Sequence, residues 1–403
     1  MADSPRDGLE PEITVSLARC LGIDEAAPAE AVARLGQPAF HATLPLVAVA
    51  TDCDTLGARP HRVILVLFHA LAARQARRIV AYDTRAPCAA LAWLDARTLV
   101  LALGADIEVL RLPRDAFEGG SSSSDWLAEC EFETFAFHVS PIRELAVVPD
   151  SSLVLSGGDD GQVVLQDFTR VVKSGDGGWQ PCVIAGHDAA ERVSSVGLAH
   201  GPAQPRVATF TTDGGRFECV DFRAAPRASA RLAFQARAAE PALYAHASGL
   251  ARGDGAALGF GSGRVALYDV RRLPLPVATV RAGAQGTRLC APGVGMLLAC
   301  PARGSGGGLL ACGGGGACEL SLDASAIADA DRRRGAHGAR GRAGAASGPL
   351  APRRFFEYDG VVGGAVWHGH GRVGITTATE LHICALGGAA SSAHHSSAAV
   401  RAF

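Results

Sequence analysis

His138-Val-Ser-Pro-Ile-Arg-Glu-Leu-Ala-Val-Val-Pro-Asp-Ser-Ser-Leu-Val-Leu-Ser-Gly-Gly-Asp-Asp-Gly-Gln-Val-Val-Leu-Gln-Asp-Phe168 decides how the rest of the chain reads. Three short apolar runs, Ile142–Val148, Leu153–Ser156 and Val163–Phe168, are separated first by Pro149-Asp150 and then by Gly157 to Gly161. An Asp-Gly pair between β-branched runs predicts a hairpin, because a tight turn needs a positive φ that glycine adopts without strain. The stretch therefore reads as three antiparallel strands in sequence.

The same unit recurs with less regular punctuation. A first copy runs through Ala39-Phe40-His41, Pro45–Thr51 and Arg62–Phe68, and a second through Ala92-Trp93, Thr98–Leu103 and Ile107–Leu112. The quoted stretch is the third. A fourth comprises Val193–Leu198, Arg206–Phe210 and Arg216–Phe222, and a fifth Ser248–Leu250, Ala256–Phe260 and Arg264–Asp269. The sixth, Arg288–Cys290, Gly308–Cys312 and Ala317–Leu322, is degenerate and glycine-rich. The seventh is Gly364–His368, Arg372–Thr377 and Glu380–Leu386, and its Val366-Trp367-His368 echoes Ala39-Phe40-His41. One such module leaves both faces uncovered, and radial stacking of copies covers them.

The third unit resembles a WD40 repeat. His138 stands at the family's Gly-His position, Pro141-Ile142 opens the first strand, Ser156 lies in the second, and Asp160 lies in the following turn. Gln166-Asp167 occupies the place of the Trp-Asp dipeptide, and the fifth unit ends Leu267-Tyr268-Asp269-Val270, similar to the family's third strand. The resemblance implies an all-β fold, a single seven-bladed WD40-like β-propeller over residues 13–386. It also implies a hydrogen-bonded structural network of which His138, Ser156 and Asp160 form part. No unit carries a true Trp-Asp; Gln166-Asp167, Tyr268-Asp269 and Tyr82-Asp83 are the equivalents.

Composition sets outer limits. Of 403 residues 48% are hydrophobic, enough for a large core, and the net charge of −2 gives no bulk basic face with which to grip nucleic acid. Lys173 is the single lysine among 38 basic residues, which with the abundant Ala and Gly reads as compositional bias in the coding sequence. The 11 cysteines include no Cys-x-x-Cys pair and fall mostly within apolar runs, as reduced core thiols of a cytoplasmic or nuclear protein do. The start Met1-Ala-Asp-Ser-Pro-Arg-Asp7 has no apolar leader character, and no apolar run reaches the length of a membrane span.

Residues 1–12 are expected to be disordered, as are a basic insertion at 324–352 within the propeller and the Ala/Ser/His-rich tail 387–403. Phe117–Asp125 reads as a flexible loop. Residues 13–36 admit two readings. Alternating Ile13, Val15 and Leu17 suit a strand that completes the last blade, the closure common in the family; alternatively the whole segment, with its Ala-rich stretch, forms a short helix.

Motifs that carry chemistry are scarce. Lys173 follows Val172, so no phosphate-binding Gly-x-x-x-x-Gly-Lys loop exists, and no Gly-x-Ser-x-Gly nucleophile elbow occurs. His368, His370, His394 and His395 lack companions at metal-ligand spacing, and Asp159-Asp160 is itself a turn. Arg332, Arg333, Arg334, Arg340 and Arg342 have no interleaved aromatics for base stacking. No catalytic residue, cofactor or metal is expected. Two stretches, Tyr82-Asp83-Thr84-Arg85 and Tyr268-Asp269-Val270-Arg271, are similar to the Asp-x-Arg ending of propellers that dock on the adaptor of cullin-4 ubiquitin ligases. The expected function is a non-enzymatic interaction scaffold, a subunit of a multiprotein complex. The alternative is a substrate receptor of a cullin-4-type ligase that docks through Arg85 or Arg271.

Overall fold

The computed structural model describes residues 13–17, 34–41, 44–52, 61–68, 76–113, 129–147, 151–173, 179–198, 207–223, 230–235, 243–250, 255–269, 276–281, 294–303, 306–313, 316–322, 350–357, 362–368, 372–377, 380–385 and 399–401. These are almost entirely β-strand. No helix among them is long and apolar enough to cross a membrane.

Six sheets have four antiparallel strands each, in chain order. The chain enters through β1 (Ile13–Ser16) and then forms β2 (Arg34–Phe40), β3 (Leu46–Asp52), β4 (His61–Phe68) and β5 (Ala76–Thr84) as the first of them. The next holds β6 (Cys88–Trp93), β7 (Thr98–Leu103), β8 (Asp106–Arg111) and β9 (Glu131–Ala136). The third holds β10 (Ile142–Val147), β11 (Leu153–Gly158), β12 (Gln162–Lys173) and β13 (Trp179–Asp188). The fourth contains β14 (Val193–Leu198), β15 (Val207–Thr212), β16 (Arg216–Asp221) and β17 (Ala230–Gln235). The fifth contains β18 (Leu243–Leu250), β19 (Gly255–Phe260), β20 (Arg264–Asp269) and β21 (Ala278–Arg281). The sixth contains β22 (Val294–Arg303), β23 (Gly306–Gly313), β24 (Gly316–Leu322) and β25 (Leu350–Glu357). One further sheet has five strands: β26 (Gly364–His368), β27 (Arg372–Thr376) and β28 (Glu380–Ala385) are joined by β1 and by β29 (Ala399–Arg401).

The strands divide between two compact units, Glu10–Val196 with Gly363–Phe403, and Met1–Leu9 with Gly197–Val362. In the first unit, period-2 alternation feeds two different cores from one strand. Val47 and Val49 join Ile64, Val66, Ile13, Val15, Leu381 and Ile383 in one cluster. Ala48, Ala50, Val63 and Leu65 join Leu91, Leu99, Leu101 and Leu103 in another. Val100 and Ala102 turn to Ile142, Leu145 and Val154 in a third. Both faces of β7 are therefore covered, which is why it reads Thr-Leu-Val-Leu-Ala-Leu with every residue buried rather than alternating. In the second unit Phe217, Leu258, Phe260 and Tyr268 form a comparable cluster.

The hairpin turn predicted at Gly161 is present, and two other sheets repeat it. Gly161 donates to Gly158 O at 3.1 Å, Gly215 to Thr212 O at 2.9 Å and Gly263 to Phe260 O at 3.0 Å. The three glycines have φ of 76°, 81° and 77°, so the turn demands the residue the sequence supplies.

Several expectations are corrected. Ile13–Ser16 is a strand, antiparallel to β28 with Thr14 opposite His382, because its β-branched side chains reach the core shared with Val47 and Val49. Residues 34–36 of the helical alternative open β2 instead, and residues 18–33 lie outside the described residues. The sixth unit begins with Val294–Arg303, and the expected Arg288–Cys290 lies outside the described residues. Leu350, Ala351 and Pro352, placed in the disordered insertion, open β25 by pairing with Leu322, Ser321 and Leu320. Ala399–Arg401, placed in the disordered tail, runs parallel to β1. Residues 1–12, 117–125, 324–349, 387–398 and 402–403 lie outside the described residues.

Candidate protein-interaction site

The predicted network of His138, Ser156 and Asp160 assembles at one end of the third sheet. His138 lies between β9 and β10, with its Nδ1 at 3.0 and 3.1 Å from the two Asp160 oxygens. That nitrogen faces only carboxylate oxygens and so carries the ring proton. Nε2 then accepts from the Ser156 hydroxyl at 2.8 Å, and Ser156 Oγ accepts from Gln166 Nε2 at 3.0 Å. Asp160 also receives the amides of Val139 and Gln162, both at 3.0 Å. Burial opposes its ionisation, but the His138 bond and these two amides outweigh it and hold the carboxyl below its ordinary value.

Gln166 is the member that sequence reasoning left out of the network. Its signal was present: Ser156 pairs with Val164, and Gln166 lies two residues further along β12 on the same face. The amide donates where an indole would, yet leaves Oε1 buried without a hydrogen-bond partner.

The Asp-x-Arg residues fare differently. Tyr82 and Asp83 end β5, the fourth strand of their sheet, rather than a third strand. Asp83 pairs with Arg62 at 2.7 Å, and Arg85 pairs with Asp106 at 2.9 Å. Tyr82 packs edge-on to Phe132 at 5.7 Å between ring centroids, its hydroxyl buried and unpartnered. Burial pushes that phenol well above its usual range. Tyr268 and Asp269 do end a third strand, with Asp269 opposite Gly255, and Tyr268 is buried. Arg271 lies outside the described residues.

The same register position carries Asp167 opposite Leu153 and Asp221 opposite Val207. Asp221-Phe222-Arg223, which sequence reasoning passed over because no aromatic precedes the aspartate, forms the closed fork. Arg223 Nε and Nη2 donate to the two Asp221 oxygens at 2.8 and 2.7 Å, with the arginine side chain 51% exposed. The Asp221 carboxylate holds the guanidinium above its ordinary value.

A cavity of about 1030 Å³ opens in the first unit, lined among others by Phe40, His41, Trp93, Val147, Phe168 and Val366. Its polar atoms are already engaged. His41 Nε2 donates to Ala96 O at 2.9 Å while Nδ1 accepts the Leu44 amide at 2.9 Å, and burial lowers its basicity. Trp93 Nε1 donates to Ala39 O at 3.2 Å, with its ring 4.9 Å from the His41 ring. Asp95 accepts from the amides of Arg97 and Thr98 and from the Thr98 hydroxyl. Nearby on β10, burial pushes the Glu144 carboxyl up to about 7 although it accepts bonds from Ser195 and from the Val196 amide, the latter at 2.9 Å. Fixed aromatic walls with committed heteroatoms suit recognition. Among the described residues no three His, Cys, Asp or Glu side chains converge as a metal site.

No family model matches the chain, and no curated protein matches it either. Its structure is similar to a chain in the crystal structure of a mitotic checkpoint complex, with a TM-score of 0.62 over 96% of this chain and 94% of that one, at 14% identity. The successive four-stranded sheets, the repeated turn and this alignment agree. This chain folds as a WD40-type β-propeller. In the propeller, the His138–Ser156–Asp160–Gln166 chain staples the third sheet, and the aromatic cavity is a concave surface of the first unit.

Proposed function

We propose that the propeller is a non-enzymatic interaction scaffold, a subunit of a multiprotein complex, whose partner inserts apolar side chains into the cavity walled by Phe40, Trp93 and Phe168. The observation that carries this reading is that the cavity presents half-buried aromatics while the ring nitrogens of His41 and Trp93 and the Asp95 oxygens are internally bonded. Such a wall binds without offering an acid, a base or a nucleophile. In the same proposal the five-stranded sheet is the seventh blade, and the buried cysteines Cys88, Cys219, Cys312, Cys318 and Cys384 favour a reducing compartment, the cytoplasm or nucleus. Affinity purification with quantitative mass spectrometry tests it, using wild type, Phe168→Arg and Val147→Arg. A stoichiometric partner lost from both folded variants supports the scaffold. A bound small molecule that the protein converts, or a complex indifferent to both changes, overturns it.

One observation favours a second reading, a substrate receptor of a cullin-4-type ligase. The Asp221–Arg223 fork presents a half-exposed guanidinium at the end of a third strand, whereas Arg85 is engaged with Asp106. Recovery of the ligase adaptor, lost on Arg223→Ala or Arg271→Ala and kept on Arg85→Ala, would select this reading. Failure to recover the adaptor with wild type would remove it.

A further inference from the structure

The last strand of a sheet exposes unpaired amides and carbonyls, and natural proteins guard such edges with charge, proline or a covering segment. In six sheets the sequence of the last strand contains a charge or a proline. Arg77, Arg78 and Asp83 lie in β5, Glu131 and Glu133 in β9, and Pro181 and Asp188 in β13. Arg231 lies in β17, Arg281 in β21, and Pro352, Arg353, Arg354 and Glu357 in β25. The seventh sheet differs. Its fourth strand, β1, reads Ile13-Thr14-Val15-Ser16 without a charge or a proline, and Ile13 and Val15 are buried. This is also the sheet that carries a fifth strand. Ala399, Val400 and Arg401 pair in parallel with Thr14, Val15 and Ser16.

We infer that the free edge of β1 is a strand-acceptor site for an extended peptide, and that the chain's own C-terminal segment is its resident, exchangeable occupant. The pairing extends over three residues. Residues 386–398 tether β29 to the end of β28, and β1 lies between those two strands. The lateral gap across one strand is about 10 Å, whereas 13 extended residues span roughly 43 Å, so β29 can leave and return without disturbing β28. Tethering raises the local concentration of the segment to the order of 1 mM, which keeps the edge closed to weak competitors until the tail is drawn away. A partner that fits is an extended, uncharged or lightly charged strand running parallel to β1. This surface is separate from the aromatic cavity, and the inference stands whether or not that cavity binds a protein.

The test uses the full chain carrying Val400→Pro, which places a proline at the centre of the three-residue ladder. The probe is a fluorescein-labelled peptide of residues 396–403. Anisotropy should show the peptide binding Val400→Pro at least about tenfold more tightly than wild type, whose site is filled in cis at millimolar effective concentration. Hydrogen exchange at Thr14–Ser16 should be about tenfold or more faster in the variant and should return toward wild type when the peptide is added. Successive amides of a strand face opposite sides, so only one of positions 399 and 400 donates to β1; these changes are expected in Val400→Pro or in Ala399→Pro, whichever removes that donor, and peptide carrying both prolines should not bind. Equal peptide binding to wild type and both variants, or unchanged exchange at Thr14–Ser16 in both proline variants, overturns the inference.

Discussion

Removing the Ser156 hydroxyl tests the hydrogen-bonded chain of the third sheet at its centre. Ser156 is fully buried and is the single link between the Gln166 amide at 3.0 Å and His138 Nε2 at 2.8 Å. In Ser156→Ala both neighbours lose their partner inside the protein, at 1–3 kcal/mol for each orphaned group by the usual scale, so the expected loss is about 2–4 kcal/mol after some relaxation. Gln166→Leu is the contrasting change. It deletes one donor, but it also deletes an Oε1 that already lacks a partner, and the Ser156–His138 bond survives. The expected cost is about 0–1 kcal/mol, because removing an unsatisfied polar atom offsets the lost bond. Urea unfolding followed by tryptophan fluorescence and far-ultraviolet circular dichroism measures both, with stability taken from the midpoint at constant slope. In the double variant the two costs should fall short of their sum, since Gln166 can no longer be orphaned. A Ser156→Ala loss below about 0.5 kcal/mol, or a Gln166→Leu loss as large, would refute the assignment of donors and acceptors.

Other outcomes follow from buried groups. Burial pushes His382, which bonds Thr14 across the β1–β28 pair at 3.2 Å, down from 6.5 to about 4. The unfolded chain therefore binds its proton first, and stability falls as pH drops from about 6.5 to 4. Asp160, held below its ordinary 3.8, adds a loss at more acid pH, as protonation reaches its folded-state value. Glu144, raised to about 7, acts oppositely: the folded state holds its proton, so stability falls as pH rises from 4.5 toward 7. Stability-versus-pH curves of His382→Gln and Glu144→Gln should each lose one of these opposing slopes; unchanged curves would contradict the placement of the two groups. At Gly374 an added Cβ would stand 2.9 Å from the Phe40 ring, so Gly374→Ala should lower stability by about 1–3 kcal/mol in denaturant titration and move the cavity wall. Cys88, buried with its thiol pushed to about 12, should resist alkylation at pH 8 until the protein unfolds, as read by intact mass.

The parts of the fold legible in the sequence are those where packing imposes a pattern. Leu99 to Leu103 and Val163 to Leu165 are buried on both faces, so their continuous apolar runs mark strands directly. The fourth strand β9 was not legible, because one side of it meets solvent. In β9 only Phe135 is buried, and Glu-Phe-Glu-Thr-Phe-Ala carries no periodic signal strong enough to stand alone. The dipeptide Tyr82-Asp83 resembles Tyr268-Asp269 but ends a fourth strand, since a two-residue match carries no register. Gln166 could be placed by homology of position, yet its role as donor to Ser156 needed the cross-strand geometry. At the chain ends the alternation of Ile13–Ser16 showed a closing strand beside a helical reading but not its partner, which lies more than 360 residues away, and the three residues Ala399–Arg401 are too short a run to show a strand by pattern.

A crystal structure of the full chain tests the central proposition most directly. The account predicts a β-propeller in which one sheet holds Ile13–Ser16 between Glu380–Ala385, antiparallel to it, and Ala399–Arg401, parallel to it. A fold without the propeller's successive four-stranded sheets, or an N-terminal segment packed away from residues 380–385, would contradict it.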